Sequence, residues 1–455
     1  MDFLPEPYKT KTVEQIKLLP RDQRRCKLVE AHYNIFKIAA ADIFIDLLTD
    51  SGTSAMSDNQ WAGIMTGDES YAGCKNYFNF ESTIKSITGY KNIIPTHQGR
   101  VAENLLFTNI AKAGDCIPSN THFDTTRANV EHQGAEALNL VIDEGLDPKS
   151  EFDFKGNIDL NKVESLIKRV GRKNIPIGML TVTNNAGGGQ PVAMANIKAY
   201  GDLLHKHDIP FFLDACRYAE NCYFIKRREP GYQNKSIKEI ANEMFSYADG
   251  CTMSAKKDGL ANIGGFLATN NDELAGRITN MLILIEGFST YGGMAGRDLE
   301  AVARGLIEAL DEEYLHYRIE QVRCLGEMLE ANDIPIVRPP GGHAIFVDAK
   351  AFLPDFPRDK YPGWALTVSL YREGGVRAVE IGGIMLGKQP DGTEKYPEME
   401  LVRLAIPRRV YSMAHLQYVV EVFKKIRDDK NLVKPLKIVW QAPVLRHFTI
   451  KLDEV

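Results

Sequence analysis

The stretch Ile209-Pro210-Phe211-Phe212-Leu213-Asp214 decides how this chain folds. A short apolar run closed by a carboxylate reads as a strand covered on both faces, with its polar residue at the carboxyl end. Outward from it, Ile177 to Val182 repeats the strand pattern and Ser236 to Phe245 reads as an amphipathic helix. From about residue 90 to 270 such runs alternate with helical patterns, which predicts an α/β domain with a mostly parallel sheet. Ligands of such sheets gather beyond the carboxyl ends of the strands. Residues 296 to 331 read as one long helix, and shorter strands at Ala344 to Val347 and Val402 to Ile406 predict a smaller α/β domain. The expected division is an N-terminal arm and part of the small domain over 1–47, a large domain over 48–310, and a linking helix with the small C-terminal domain over 311–455.

Composition bounds the function. The 455 residues are 44% hydrophobic and 25% charged, with a net charge of -5, so no basic footprint for nucleic acid or anionic membrane is expected. No apolar run approaches the roughly 20 residues of a spanning helix. The Met1 to Pro7 start lacks the basic and apolar regions of a secretory leader, and a cytoplasmic location is expected. Seven irregularly spaced Cys argue for reduced thiols, and no Cys/His cluster suggests zinc.

The chemistry concentrates around Met253-Ser254-Ala255-Lys256-Lys257-Asp258-Gly259, read as a tight turn between strands at Tyr247 to Thr252 and Asn262 to Phe266. Poor solvation beside a second cation favours a neutral, nucleophilic amine at Lys257, as a covalent anchor for pyridoxal phosphate requires. Adjacent loop lysines are also ordinary solvated surface, so the run gains weight from what precedes it. Asp214 can hold a pyridine nitrogen protonated, with Arg217 on the ring's phenolate oxygen, or it can cap the next helix. Thr96-His97-Gln98-Gly99-Arg100 leads into a helical pattern, either as a plain junction or as an anion site of helix N–H groups plus a guanidinium, with Ser254 adding a hydroxyl. Arg403, inside the strand Leu401 to Ile406, either turns to solvent or clamps a substrate carboxylate. Asn185 opens a glycine-rich turn, Asn185 to Pro191, that can assist it. No GxGxxG follows a first strand, which excludes a dinucleotide site.

These pieces, with Ile45 to Thr53, Gly67-Asp68-Glu69 and Tyr71, Pro95 to Arg100 and Arg403 to Arg409, resemble the tryptophanase and tyrosine phenol-lyase family of pyridoxal-phosphate-dependent β-eliminating lyases over nearly the full length. The resemblance implies an aspartate-aminotransferase-like fold of fold type I and a homotetramer with sites built between paired subunits. By matching positions, Lys257 would bind the cofactor, Asp214 and Arg217 its ring, and Gln98, Gly99, Arg100 and Ser254 its phosphate. Phe123 would stack on the ring, with Thr49, Asn185 and Arg403 near the substrate carboxylate. Lys256 would tune Lys257 or stay a solvated cation. The family's activation by potassium implies Glu69 and the carbonyls of Gly52 and Asn262 as ligands. From the residues alone Glu69 reads as a surface acid.

The two branches differ in the pocket for the departing ring. Phenol-lyases resemble one another in a Thr, an Arg and a Phe where this chain has Asp124, Ile381 and His447, with Phe448 beside the last. The set matches the indole-releasing branch, so L-tryptophan is the expected substrate. Ile381 supplies no donor for a phenolate, and Asp124 can accept from an indole N–H. Asp124 can equally cap a helix, and His447 can be a satisfied C-terminal histidine. Tyr71, whose bland reading is a stacked core tyrosine, is the candidate proton donor to the leaving carbon. Tyrosine phenol-lyase activity, an aminotransferase and a non-catalytic homologue are the competing readings.

Overall fold

A computed structural model describes residues 4–389 and 392–455. Contacts divide the chain into a larger unit, residues 51–145 with 152–316, and a smaller unit, residues 1–50, 146–151 and 317–455.

In the larger unit the chain runs through β1 (Asn92–Thr96), α1 (Gly99–Ile110), β2 (Cys116–Ser119), α2 (Asp124–His132) and β3 (Glu136–Asn139). It continues through β4 (Gly178–Thr181), α3 (Met194–Lys206), β5 (Phe211–Asp214), α4 (Tyr218–Arg228), α5 (Ile237–Ser246), β6 (Gly250–Ser254) and β7 (Gly265–Thr269). Five strands form one sheet in the order β1-β7-β6-β5-β4, while β2 and β3 pair separately. β4, β5 and β6 are parallel, and β7 is antiparallel to both β6 and β1. Four of the five strands therefore point the same way. β5 and β6 are buried at every residue, as continuous apolar runs require when helices cover both faces. On one face Ala102, Leu105 and Leu106 of α1 pack with Ile94, Met179, Phe212 and Leu267 of the strands.

Register carries the polar residues to one edge. Asp214 stands opposite Thr181 and Thr252, and Gly265 stands opposite both Ser254 and Thr96. The carboxyl ends of β1, β4, β5 and β6 thus lie side by side. α5 starts with a capping box in which Ser236 and Glu239 satisfy each other's backbone N–H groups.

Two expectations need correction. The 296 to 331 pattern is two helices, α6 (Gly296–Glu308) and α7 (Glu312–Glu330). Asp311 breaks it by accepting the Tyr314 N–H at 2.7 Å, which starts a new helix. The second strand after the lysine pair begins at Gly265, so Lys257 lies in an irregular loop of ten residues, 255–264, and not in a tight turn.

The smaller unit holds an antiparallel sheet of β8 (Ala344–Asp348), β9 (Val379–Ile381) and β10 (Leu401–Ala405), with β10 central. Asp50 and Arg408 form a buried ion pair of 2.9 Å in it.

Candidate cofactor site

A cavity partly open to solvent lies at the carboxyl edge of the larger unit's sheet. Gln98, Gly99, Arg100, Phe123, Asn185, Asp214, Arg217, Ser254, Lys256 and Lys257 line it together. Ten residues chosen from sequence, spread over 160 positions, thus share one enclosure.

The phosphate end is built by close backbone approach. Gln98 is the N-cap of α1, so the first N–H groups of the helix open towards the cavity. A Cβ on Gly99 would sit 2.5 Å from the Cβ of Ser254, so only glycine lets the two chains touch. Backbone bonds stitch the same corner: the Gly264 N–H reaches the His97 carbonyl at 2.9 Å, and the Ala255 N–H reaches the Gly264 carbonyl at 3.0 Å. Exposed helix N–H groups, a hydroxyl and the Arg100 guanidinium make this a donor set for a phosphate.

Asp214 is buried at the end of β5. It does not cap α4, whose N-cap is Arg217, so the capping alternative falls. That task goes to Asp258, whose carboxylate accepts the N–H groups of Ala219 at 2.8 Å and Glu220 at 3.3 Å. Backbone bonds fix the loop on either side of Lys257. The Gly52 N–H donates to the Lys256 carbonyl at 2.9 Å, and the Leu260 N–H donates to the Lys257 carbonyl at 2.9 Å. The Lys256 amine is pushed down to about 8, by burial, then by the charges of Lys257 and Arg100. Cys216, whose sulfur accepts the Ser254 N–H at 3.3 Å, is inert, because burial first and Asp214 next push its thiol up to about 12.

An anion cradle at one end, a carboxylate at a strand terminus, an aromatic side wall and a lysine in the lining fit pyridoxal phosphate. Glu103, buried in the same lining, was not singled out from sequence. Its signal was an acid on the helix face that begins with Gly99.

Other predicted residues of this unit lie outside the lining. Tyr71 is 72% exposed, stacked on Phe288 at 5.8 Å and edge-on to Tyr291 at 5.5 Å, so it is not a core tyrosine. Its hydroxyl is pushed up, chiefly by the hydrogen bond with Tyr291. Asp124 is the first residue of α2, after the N-cap Phe123, and its carboxylate accepts the Thr125 N–H at 2.6 Å. Gly52 and Asn262 are adjacent, the Asn262 amide donating to the Gly52 carbonyl at 3.1 Å. Glu69 instead pairs with Arg297 at 3.0 Å, so these three groups do not form a closed cation cage in one chain.

Thr49, Ile381, Arg403, His447 and Phe448 belong to the smaller unit. Arg403 is buried in β10, all of whose residues are buried, and donates to the Leu48 carbonyl at 3.1 Å, which removes the solvent-facing alternative. Ile381 is 2% exposed in an apolar cluster with Val337, Phe346 and Leu401. His447 is buried with its ring 4.0 Å from that of Phe448 and 5.8 Å from Phe36. Next to Ile381, the buried Glu380 accepts the Ile384 and Met385 N–H groups at 2.7 and 3.0 Å, and Glu400 accepts those of Gly363 and Gly383 at 3.2 and 2.9 Å.

The fold has known counterparts. Bna3p from Saccharomyces cerevisiae, described as a candidate kynurenine aminotransferase, superposes with a TM-score of 0.62 at 18% identity, covering 88% of this chain and 95% of that one. A complex of SepCysS with the SepCysE N-terminal domain gives 0.55 at 15% identity, covering 86% and 95%. The chain has the aspartate-aminotransferase-like fold of fold type I, as expected from sequence.

A family model described as Beta-eliminating lyase matches residues 46–422, and the chain belongs to that family. It is 55% identical over 452 residues to the tryptophanase of Salinibacter ruber, covering 99% of this chain and 96% of the relative. It is 53% identical to the tryptophanase of Hyphomonas neptunium over the full length of both. Against the tyrosine phenol-lyase of Lacrimispora saccharolytica it is 51% identical over 451 residues, covering 99% and 96%.

Proposed function

We propose that this protein cleaves L-tryptophan and water into indole, pyruvate and ammonium, using pyridoxal phosphate bound in the cavity of the larger unit. Overall identity does not separate the two named activities, since tryptophanase relatives are 50 to 55% identical and a tyrosine phenol-lyase is 51% identical. The observation that carries the choice is Ile381, buried in an apolar cluster. A pocket wall without a donor leaves a phenol hydroxyl unpaired and rejects it strongly, while a larger apolar ring is accepted.

The cofactor, when bound, supplies an electron sink for the bond changes at the substrate α-carbon. Lys257 would hold it covalently, and its free amine would take the substrate α-proton. Asp214 would meet the ring nitrogen, Arg217 the ring oxygen and Phe123 the ring face, and Gln98, Gly99, Arg100 and Ser254 would hold the phosphate. Arg403 clamps the substrate carboxylate, with Thr49 and Asn185 assisting. Tyr71 gives a proton to the indole carbon that leaves, across a subunit boundary of a homotetramer, and Asp124 accepts from the indole N–H. The exposed position of Tyr71, flanked by Phe288 and Tyr291, suits a residue that completes a neighbouring site. His447 and Phe448 stand at the pocket edge. Potassium would be held by Glu69 and the carbonyls of Gly52 and Asn262, with Glu69 freed from Arg297. A cytoplasmic location belongs to the same reading. Among the described residues no helix is long and apolar enough to cross a membrane.

Indole release from L-tryptophan, assayed with pyridoxal phosphate in potassium and in sodium buffer, tests this. Faster phenol release from L-tyrosine on the same preparation would refute the pocket assignment.

A further inference from the structure

The helix that opens the phosphate end also delivers an acid to the cavity. Glu103 follows Gly99 and Arg100 by one turn of α1, which places it on their face. It is 7% exposed and lines the same cavity as Asp214. Its carboxyl accepts the Thr126 hydroxyl at 2.6 Å and the Asn129 amide at 3.5 Å, both on α2, the helix that starts after the ring-stacking Phe123. Glu103 therefore ties the phosphate-binding helix to the helix behind the ring.

Two carboxyl groups lining one cavity repel, and the repulsion is relieved when one of the pair holds a proton. The groups that act on Glu103 are Thr125, Thr126 and Asn129 from α2, Asp214 from β5, and Lys257 from its loop. Burial and the Asp214 charge push Glu103 up to about 7, against the hydrogen bonds of Thr126 and Thr125 and the Lys257 cation.

We propose that Glu103 is a positioning residue for Asp214, the neutral member of a carboxyl pair that keeps the negative charge at this end of the cavity on the carboxylate facing the cofactor ring. This rests on the cofactor reading above and deepens it. When Glu103 loses its proton, a second negative charge faces an anionic cofactor whose phosphate binds at the start of the same helix.

The test compares wild type with Glu103→Gln, which carries the neutral shape at every pH. In cofactor-stripped protein, infrared spectra across pH 5 to 9 should show a protonated-carboxyl stretch that titrates near 7 and is missing from the variant. The dissociation constants of pyridoxal phosphate should agree at pH 6 within about threefold. Their ratio, wild type over variant, should rise by about fivefold or more by pH 8.5 as the added charge repels the ligand. Thr126→Val, which removes a hydrogen bond to the ionised form, should move both transitions to higher pH, and it carries the test if the glutamine variant does not fold. An infrared band unchanged by either substitution, or a ratio flat with pH, overturns the inference. Failure of wild type to bind pyridoxal phosphate at any pH overturns the cofactor reading and this inference with it. The infrared titration needs no cofactor and tells the two failures apart.

Discussion

The carboxylate of Asp258 accepts the backbone N–H of Ala219 at 2.8 Å, anchoring the residue after Lys257 to the first turn of α4. The helix that begins just beyond Arg217 and the loop that carries Lys257 are therefore positioned by one buried side chain. Replacing it should both weaken the fold and misplace the lysine. Asp258→Ala is expected to cost about 1–3 kcal/mol in a denaturant melt, for a lost buried acceptor at a helix start. It should also lower the fraction of chains carrying pyridoxal phosphate on Lys257, read by borohydride trapping and mass spectrometry. Normal stability with full occupancy would contradict the anchoring role.

Gly99→Ala sets helix propensity against packing. An exposed helical glycine gains about 1 kcal/mol on this change. Here the new methyl would fall 2.5 Å from the Cβ and 2.8 Å from the Cα of Ser254. The backbone must separate, so phosphate-end binding should suffer most. Calorimetric titration with pyridoxal phosphate should show at least about a tenfold loss of affinity, equivalent to ~1.4 kcal/mol. Titration with pyridoxal lacking the phosphate should show a far smaller loss, and equal losses would move the phosphate elsewhere.

Lys256 predicts a pH effect on the cofactor-free protein. Its folded-state amine is held near 8, below the ordinary 10.5, so the unfolded chain binds more protons between those values. Stability from this group therefore rises with pH across that window, because folding no longer needs a half-buried cation. Lys256→Met should flatten that part of the stability profile, measured by urea melts at pH 7, 8, 9 and 10. A wild-type profile that falls there in step with the variant would refute the assignment.

Glu380 gives the opposite sign. Full burial and the neighbouring Glu400 hold its carboxyl well above the ordinary 4.5, so the folded state keeps a proton that the unfolded state has lost. That contribution is present at low pH and lost as pH rises through the folded value. Glu380→Gln, permanently neutral, should be more stable than wild type at pH 9 and nearly equal to it at pH 4. Thermal melts at the two pH values decide.

Much of the site was legible because the strands of the larger unit are buried on both faces. An apolar run that ends in Asp214 or in Ser254 has few reasons to stop on a polar residue except to present it. The phosphate cradle was legible as a glycine at a helix start, whereas its tightness against Ser254 was not, since close approach depends on register between distant strands. The reversed direction of β7 escaped for the same reason: a buried strand reads alike in both senses. Glu103 was hidden because an acid within a helical pattern looks like solvated surface until tertiary packing covers it. The break at Asp311 is a local capping event that apolar periodicity runs straight through.

The insertion of β7 between β1 and β6 sets a timetable for biosynthesis. The loop at Gln98 to Arg100 finds its partner strand only after about 170 further residues have been made. At about 5–20 residues per second the nascent chain waits on the order of ten seconds or more with that corner unpaired. A molecule that grips the corner can act only on chains made past Thr269, and not on shorter nascent ones.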